Sequence, residues 1–133
     1  MPMHLHTLGD HLRAKRIVSG YLQKDVAVSL NVCEDTITGW ENGRFQPEVC
    51  RYPAIIAFLG YYPFSHDTTT LSGKLQQLRY CKGLDYQACG VLFGVHGSTI
   101  RSWEKGTNRP TTSNALFIQT LWQQLPVIQT LNQ

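Results

Sequence analysis

The sequence predicts an all-α protein built as two tandem bundles of four to five short helices each. Three observations predict it. Nearly the same words occur twice, TITGWENGRFQP at 36–47 and TIRSWEKGTNRP at 99–110, and an offset of 63 residues aligns 7–47 with 70–110 without a gap. Identical pairs include Thr7/Thr70, Leu12/Leu75, Arg16/Arg79, Gly20/Gly83, Ile37/Ile100, Trp40/Trp103, Glu41/Glu104 and Pro47/Pro110. Within each copy, apolar residues recur at spacings of three and four, the signature of a half-buried helix. Threonine and glycine stand where such helices start and stop. Two copies are too few for a solenoid, and the period is long enough for a small independent core.

Each element follows in order. Thr7 and Thr70 occupy N-cap positions before the amphipathic segments LGDHLRAKRIV and LSGKLQQLRYC, which Gly20 and Gly83 end. The second helix puts Leu22, Val26, Ala27 and Leu30 on one face; its counterpart puts Tyr86, Cys89, Gly90 and Phe93 there. The turns Asn31-Val32-Cys33 and Gly94-Val95-His96 lead into a third helix, EDTITGWEN or GSTIRSWEK, stopped at Gly43 or Gly106. So short a turn, with a small residue at Ala27 or Gly90 for close approach, makes a helix-turn-helix. RYPAIIAFLGYYPF after Pro47 and NALFIQTLWQQL after Pro110 supply closing helices, the first with Ile55, Ile56, Phe58 and Leu59 apolar. The expected organisation is a tail at 1–6, a first domain at 7–64, a linker at 65–69, a second domain at 70–126 and a tail at 127–133.

Composition narrows the class. A hydrophobic share of 42% with 16% charged residues suits a folded globular chain. No apolar run approaches the roughly 20 residues that span a bilayer, and MPMHLHTL lacks the layout of a signal peptide. A cytoplasmic location is expected, without membrane contact. Cys33, Cys50, Cys81 and Cys89 fall at irregular spacings with no C-x-x-C pair. They read as free thiols, and neither a metal nor another cofactor is expected. His4 and His6 belong to the tail. The net charge of +3 is unevenly spread: residues 1–66 hold six basic and six acidic side chains, residues 67–133 six basic and three acidic. Toward a polyanion, the second copy has the stronger long-range pull.

The ordered set Gly20-Tyr21-Leu22-Gln23, Leu30-Asn31-Val32 and Thr36-Ile37-x-x-Trp40-Glu41-x-Gly43, with Pro47 beyond, resembles the Cro/repressor (Xre) helix-turn-helix family of phage and bacterial regulators. The second copy keeps Gly83-Leu84, Val95, Thr99-Ile100, Trp103-Glu104, Gly106 and Pro110. The resemblance implies two lambda-repressor-like bundles, double-stranded DNA as partner and a nucleoid-associated place in the cytoplasm. It also implies a structural ion pair at Arg16/Glu41 and Arg79/Glu104, each pair 25 residues apart.

Ile37, Trp40 and Glu41 face inward by their spacing, so positions 34, 35, 38, 39 and 42 face outward. A recognition helix presents such a surface to the major groove. The first copy thereby offers Cys33, Glu34, Asp35, Thr38, Gly39 and Asn42; the second offers His96, Gly97, Ser98, Arg101, Ser102 and Lys105. The resemblance places a phosphate contact at Gln23, with Lys24 beside it, and at Tyr86 with Gln87. Arg44, Lys105 and Arg109 suit phosphates near the helix ends. Arg101 can fork onto guanine, a contact worth roughly 1–3 kcal/mol of discrimination. Glu34 and Asp35 read equally as a cytosine contact or as a solvated helix start.

The leading expectation is therefore a sequence-specific transcriptional regulator reading neighbouring major grooves with two units in one chain. The rival is an adaptor or antitoxin-like module, in which one helix-turn-helix, the first more than the second, grips a protein partner or a second copy. Its motivation is the acidic first face and the aromatics Tyr61, Tyr62 and Phe64. An enzyme is not expected, because no catalytic set stands at a workable spacing.

Overall fold

The structure, a computed structural model, describes residues 5–126. The tail expected at 127–133 and residues 1–4 lie outside the described residues. Eight α-helices run through that span, with no strand among the described residues: α1 (Leu8–Ser19), α2 (Gln23–Leu30), α3 (Glu34–Glu41), α4 (Tyr52–Leu59), α5 (Leu71–Lys82), α6 (Tyr86–Phe93), α7 (Gly97–Lys105) and α8 (Thr112–Gln123). A single 3-10 turn, Val49–Arg51, precedes α4. The chain divides into two units, Met1–Pro63 and Phe64–Gln133.

In the first unit, Thr7 accepts a hydrogen bond from the Asp10 amide, and the Asp10 carboxylate accepts from the Thr7 amide, each at 3.1 Å. This reciprocal cap satisfies two amides that a helix start otherwise leaves open. Gly20 closes α1 in the left-handed conformation, φ 76°, which glycine adopts without steric cost. Asn31, at φ 56°, makes the corresponding turn after α2. The core gathers Leu8, Leu12, Val26, Ala27, Leu30, Ile37, Trp40, Ile55 and Leu59, all buried. Each such aliphatic side chain contributes roughly 1.5–3 kcal/mol on leaving water, the main term holding so small a bundle together.

The second unit repeats the plan with local changes. Thr70 caps α5 and Asp85 caps α6 by accepting from the Gly73 and Ala88 amides. Leu75, Leu78, Cys89, Phe93, Ile100, Trp103, Ile118 and Leu125 form its core. Ile55 and Ile118 are again 63 residues apart and both buried, so the repeat runs into the closing helices. Two polar contacts tie α8 to α5: Trp122 donates to the Gln77 side chain at 2.8 Å and Lys74 donates to that of Gln119 at 2.7 Å.

Two sequence expectations need correction here. Leu22 and Tyr86 belong to the apolar stripe by spacing, yet they are 57% and 37% exposed. Leu22 is the extended residue before α2, its amide held by Asp25, so the helical period does not reach it. Tyr86 opens α6 and turns its ring onto Arg79, 4.3 Å from the guanidinium carbon. Phe64, expected as the last residue of the first domain, and His66 of the expected linker belong to the second unit and meet Tyr80 edge-on, at 4.9 and 5.2 Å between ring centroids.

Candidate nucleic-acid interface

The second unit builds its exposed helix from close backbone packing. After α6, Gly94 reverses the chain at φ 71° and Val95 donates back to the Gly90 carbonyl at 2.8 Å. A Cβ on Gly90 would stand 2.5 Å from the Val95 carbonyl oxygen and 3.0 Å from the Gly97 amide nitrogen. A Cβ at this spacing would press the two helices apart; the first unit, with Ala27 at the equivalent position, makes the matching bond from Val32 at 3.0 Å. Ile100 and Trp103 then point α7 into the core, which leaves Ser98, Arg101 and Lys105 exposed on the opposite side. His96, at the cap position of α7, and Arg109, in the segment after Gly106, are exposed as well. Ser102 is half-buried, and its hydroxyl donates to the Ser98 carbonyl at 3.1 Å.

Charge at this face is one-sided. The ion pairs Arg16–Glu41 and Arg79–Glu104 leave out Arg101, Lys105 and Arg109, which keep unneutralised charge. The single carboxylate of α7, Glu104, turns inward: Arg79 donates to its two oxygens at 2.6 and 3.2 Å and to the Leu84 carbonyl at 3.2 Å. Burial works against the Arg79 charge. The bonds to Glu104 outweigh it and hold the guanidinium above its ordinary pKa.

The first unit has the same frame and a different surface. Arg16 donates to the two Glu41 oxygens at 2.8 and 2.9 Å. Gln23 joins this pair, donating to Glu41 at 3.2 Å and accepting from the Thr38 hydroxyl at 2.6 Å. Gln23 and Tyr86, the two positions assigned to phosphate by resemblance, thus both attend the ion pair beneath them. Lys24 and Gln87 beside them are exposed. Glu34 and Asp35 are exposed in the first turn of α3. The Cys33 thiol, also exposed, lies 3.1 Å from the Thr36 hydroxyl, a bond that lowers its pKa. Asn42 accepts from the amide of Arg44 at 3.0 Å, and both are exposed.

Gly39, expected outward, is buried. Past the left-handed Gly43, the Arg44 amide bonds back to the Gly39 carbonyl at 2.9 Å, and the Phe45 ring folds onto Gly39 so closely that a Cβ would overlap it. Sequence reasoning missed this cover, although an aromatic two residues past a helix-ending glycine beside a mid-helix glycine was a usable signal. It also missed Arg13, which lines a cleft of about 260 Å3 with Arg16, Gln23, Thr38, Glu41 and Asn42. Arg13 stands three residues before Arg16, a helical spacing that brings both to one face.

Among the described residues no three His, Cys, Asp or Glu side chains gather as metal ligands, and no helix is long and apolar enough to cross a membrane. Cys81 and Cys89 are pushed up by burial, to about 11 and about 12, and stay as thiols at neutral pH. Comparison with protein-family models, curated proteins and solved structures finds no match.

Proposed function

We propose that the chain is a sequence-specific DNA-binding regulator of the helix-turn-helix kind, acting in the cytoplasm on the nucleoid, with α7 as its principal reading helix. One observation carries the proposal: α7 exposes Ser98, Arg101 and Lys105 on one side, without a competing carboxylate, while Ile100 and Trp103 anchor the other. A protruding helix of this width fits the major groove, where Arg101 can fork onto guanine. Lys105 and Arg109 reach backbone phosphates, and these set affinity but not sequence.

Selection of bound sequences from a random duplex pool tests the reading. Arg101→Ala flattens the preference at one or two base positions, and Lys105→Ala weakens all sequences evenly. Generic duplex affinity falls with salt at a log–log slope of roughly −4 to −7, for about five to eight neutralised phosphates. No salt dependence, or equal behaviour of the two variants, counts against it.

A second reading attaches to the first unit. Phe45 covers the middle of α3, and Glu34 and Asp35 sit exposed at its start. This surface suits a protein partner better than a polyanion, so the first unit is the adaptor half if either unit is.

A further inference from the structure

The two units part company where the first helix meets the end of the third. In the first unit, a Cβ on Gly9 would collide with the Trp40 carbonyl, so α1 and α3 touch through backbone. The equivalent residue in the second unit is Ser72, whose hydroxyl donates to the Trp103 carbonyl at 2.7 Å. A side chain therefore stands between α5 and α7 where the first unit has none. Beside it lies a cavity of about 470 Å3. Pockets that hold small organic ligands run from about 300 to 1,000 Å3 and combine apolar walls with a few converging polar groups.

The walls here are Leu71, Leu75, Trp103, Ala115 and Ile118. Asn108 is part of the lining at the position that Phe45 holds in the first unit, so this segment brings no aromatic ring to the cavity. Arg109 is the one charged residue in the lining, and it is exposed and outside any ion pair. Thr70, Ser72 and Asn108 add uncharged polar groups to these apolar walls, and Arg109 is the single unneutralised charge; the combination favours a ligand with an apolar body and one carboxylate, which arginine grips through two parallel hydrogen bonds.

We propose that this cavity binds a small organic monocarboxylate, an aryl-alkanoate or medium-chain acid, with its body against Trp103, Leu75 and Ile118 and its carboxylate on Arg109. A seated ligand withdraws Arg109 from phosphate and so weakens DNA binding; this regulatory consequence alone rests on the function proposed above.

Calorimetric titration of the full chain, without DNA, tests the site using phenylacetate and hexanoate beside phenylacetamide and hexanamide. The acids bind with a Kd of about 1 mM or tighter, a reasonable yield for ligands of this size. The amides bind about tenfold more weakly, the cost of losing a charge-assisted pair. Ala115→Phe fills the chamber and abolishes binding. Should that variant fail to fold, Ser72→Gly restores the first unit's residue and lowers affinity, and Arg109→Gln brings the acids down to the amides. No heat from either acid at about 10 mM, equal binding of acid and amide, or undiminished binding in the folded variants overturns the proposal. Duplex affinity is then measured with and without phenylacetate. Bound ligand with unchanged duplex affinity removes the regulatory step and leaves the site standing. A chain that binds no duplex sinks the DNA reading, and the calorimetry still decides the cavity.

Discussion

Arg79 and Arg16 do the same work in unequal surroundings. The Arg79 side chain is 8% exposed and that of Arg16 is 16% exposed, each paired with a carboxylate more enclosed than itself in solvent-poor packing. Removing one partner of such a pair leaves an uncompensated charge, typically a loss of about 3–5 kcal/mol when fully buried. Glu104→Ala therefore lowers the stability of the second unit by about 3 kcal/mol. Glu41→Ala costs the first unit less, about 2 kcal/mol, because water reaches Arg16 more readily; each arginine keeps one backbone carbonyl, Tyr21 at 3.1 Å or Leu84 at 3.2 Å. Urea unfolding of each variant measures both losses; equal costs would contradict the difference in burial. These pairs were expected from the family resemblance, which places them at a 25-residue separation that recurs in both copies. The roles of Gln23 and Tyr86 were not, since what a helix-opening side chain touches depends on the neighbour that folding brings beneath it.

At the level of helices, the tight joints matter most. The α6–α7 joint depends on Gly90, where the atoms a Cβ would meet belong to backbone and cannot swing aside. Gly90→Ala destabilises by about 2–3 kcal/mol, as overpacking does, despite alanine's better helix propensity. Thermal unfolding that shows a stabilised variant would refute this account of the joint. Helix positions, caps and the small residues at both joints could be read from period and punctuation. The cover on Gly39 could not, because it arises when Gly43 turns the chain back over a surface that the period alone marks as outward. Arg101, Lys105 and Arg109 emerge exposed as the pattern implies, while Ser102 sinks halfway and spends its hydroxyl on its own helix.

Across the whole chain, acid is the condition to which both units respond. Burial lowers the pKa of His66, which lies 2.9 Å from the Gln76 side-chain oxygen, and of His11, which lies 2.6 Å from the Tyr61 hydroxyl. In each case the unfolded chain takes up the proton first. The stabilisation is complete above the ordinary imidazole value of 6.5 and is lost as the pH falls below it toward the folded value. Replacing His66 by Gln shrinks the first drop in stability just below pH 6.5, and replacing both imidazoles removes most of that first drop, leaving the loss at lower pH to carboxylates such as Asp10 and Asp67, whose pKa values folding lowers. An unaltered pH profile of melting temperature would rule the imidazoles out. The two-unit division was visible in the 63-residue repeat, with the boundary after Pro63 against an expected first domain ending at 64. The cavity beside Ser72 was not visible, because a glycine-to-serine difference reports a helix separation only once the opposing carbonyl is known.

Phe45 resting on Gly39 has a magnetic consequence. The glycine proton that stands where a Cβ would lie sits over the face or edge of an aromatic ring and feels its ring current. Its resonance is displaced from those of the other glycines, which makes it a built-in reporter on α3. Any molecule that docks on that surface must either sit on the ring or lift it, and the chemical shift of one proton tells the two apart.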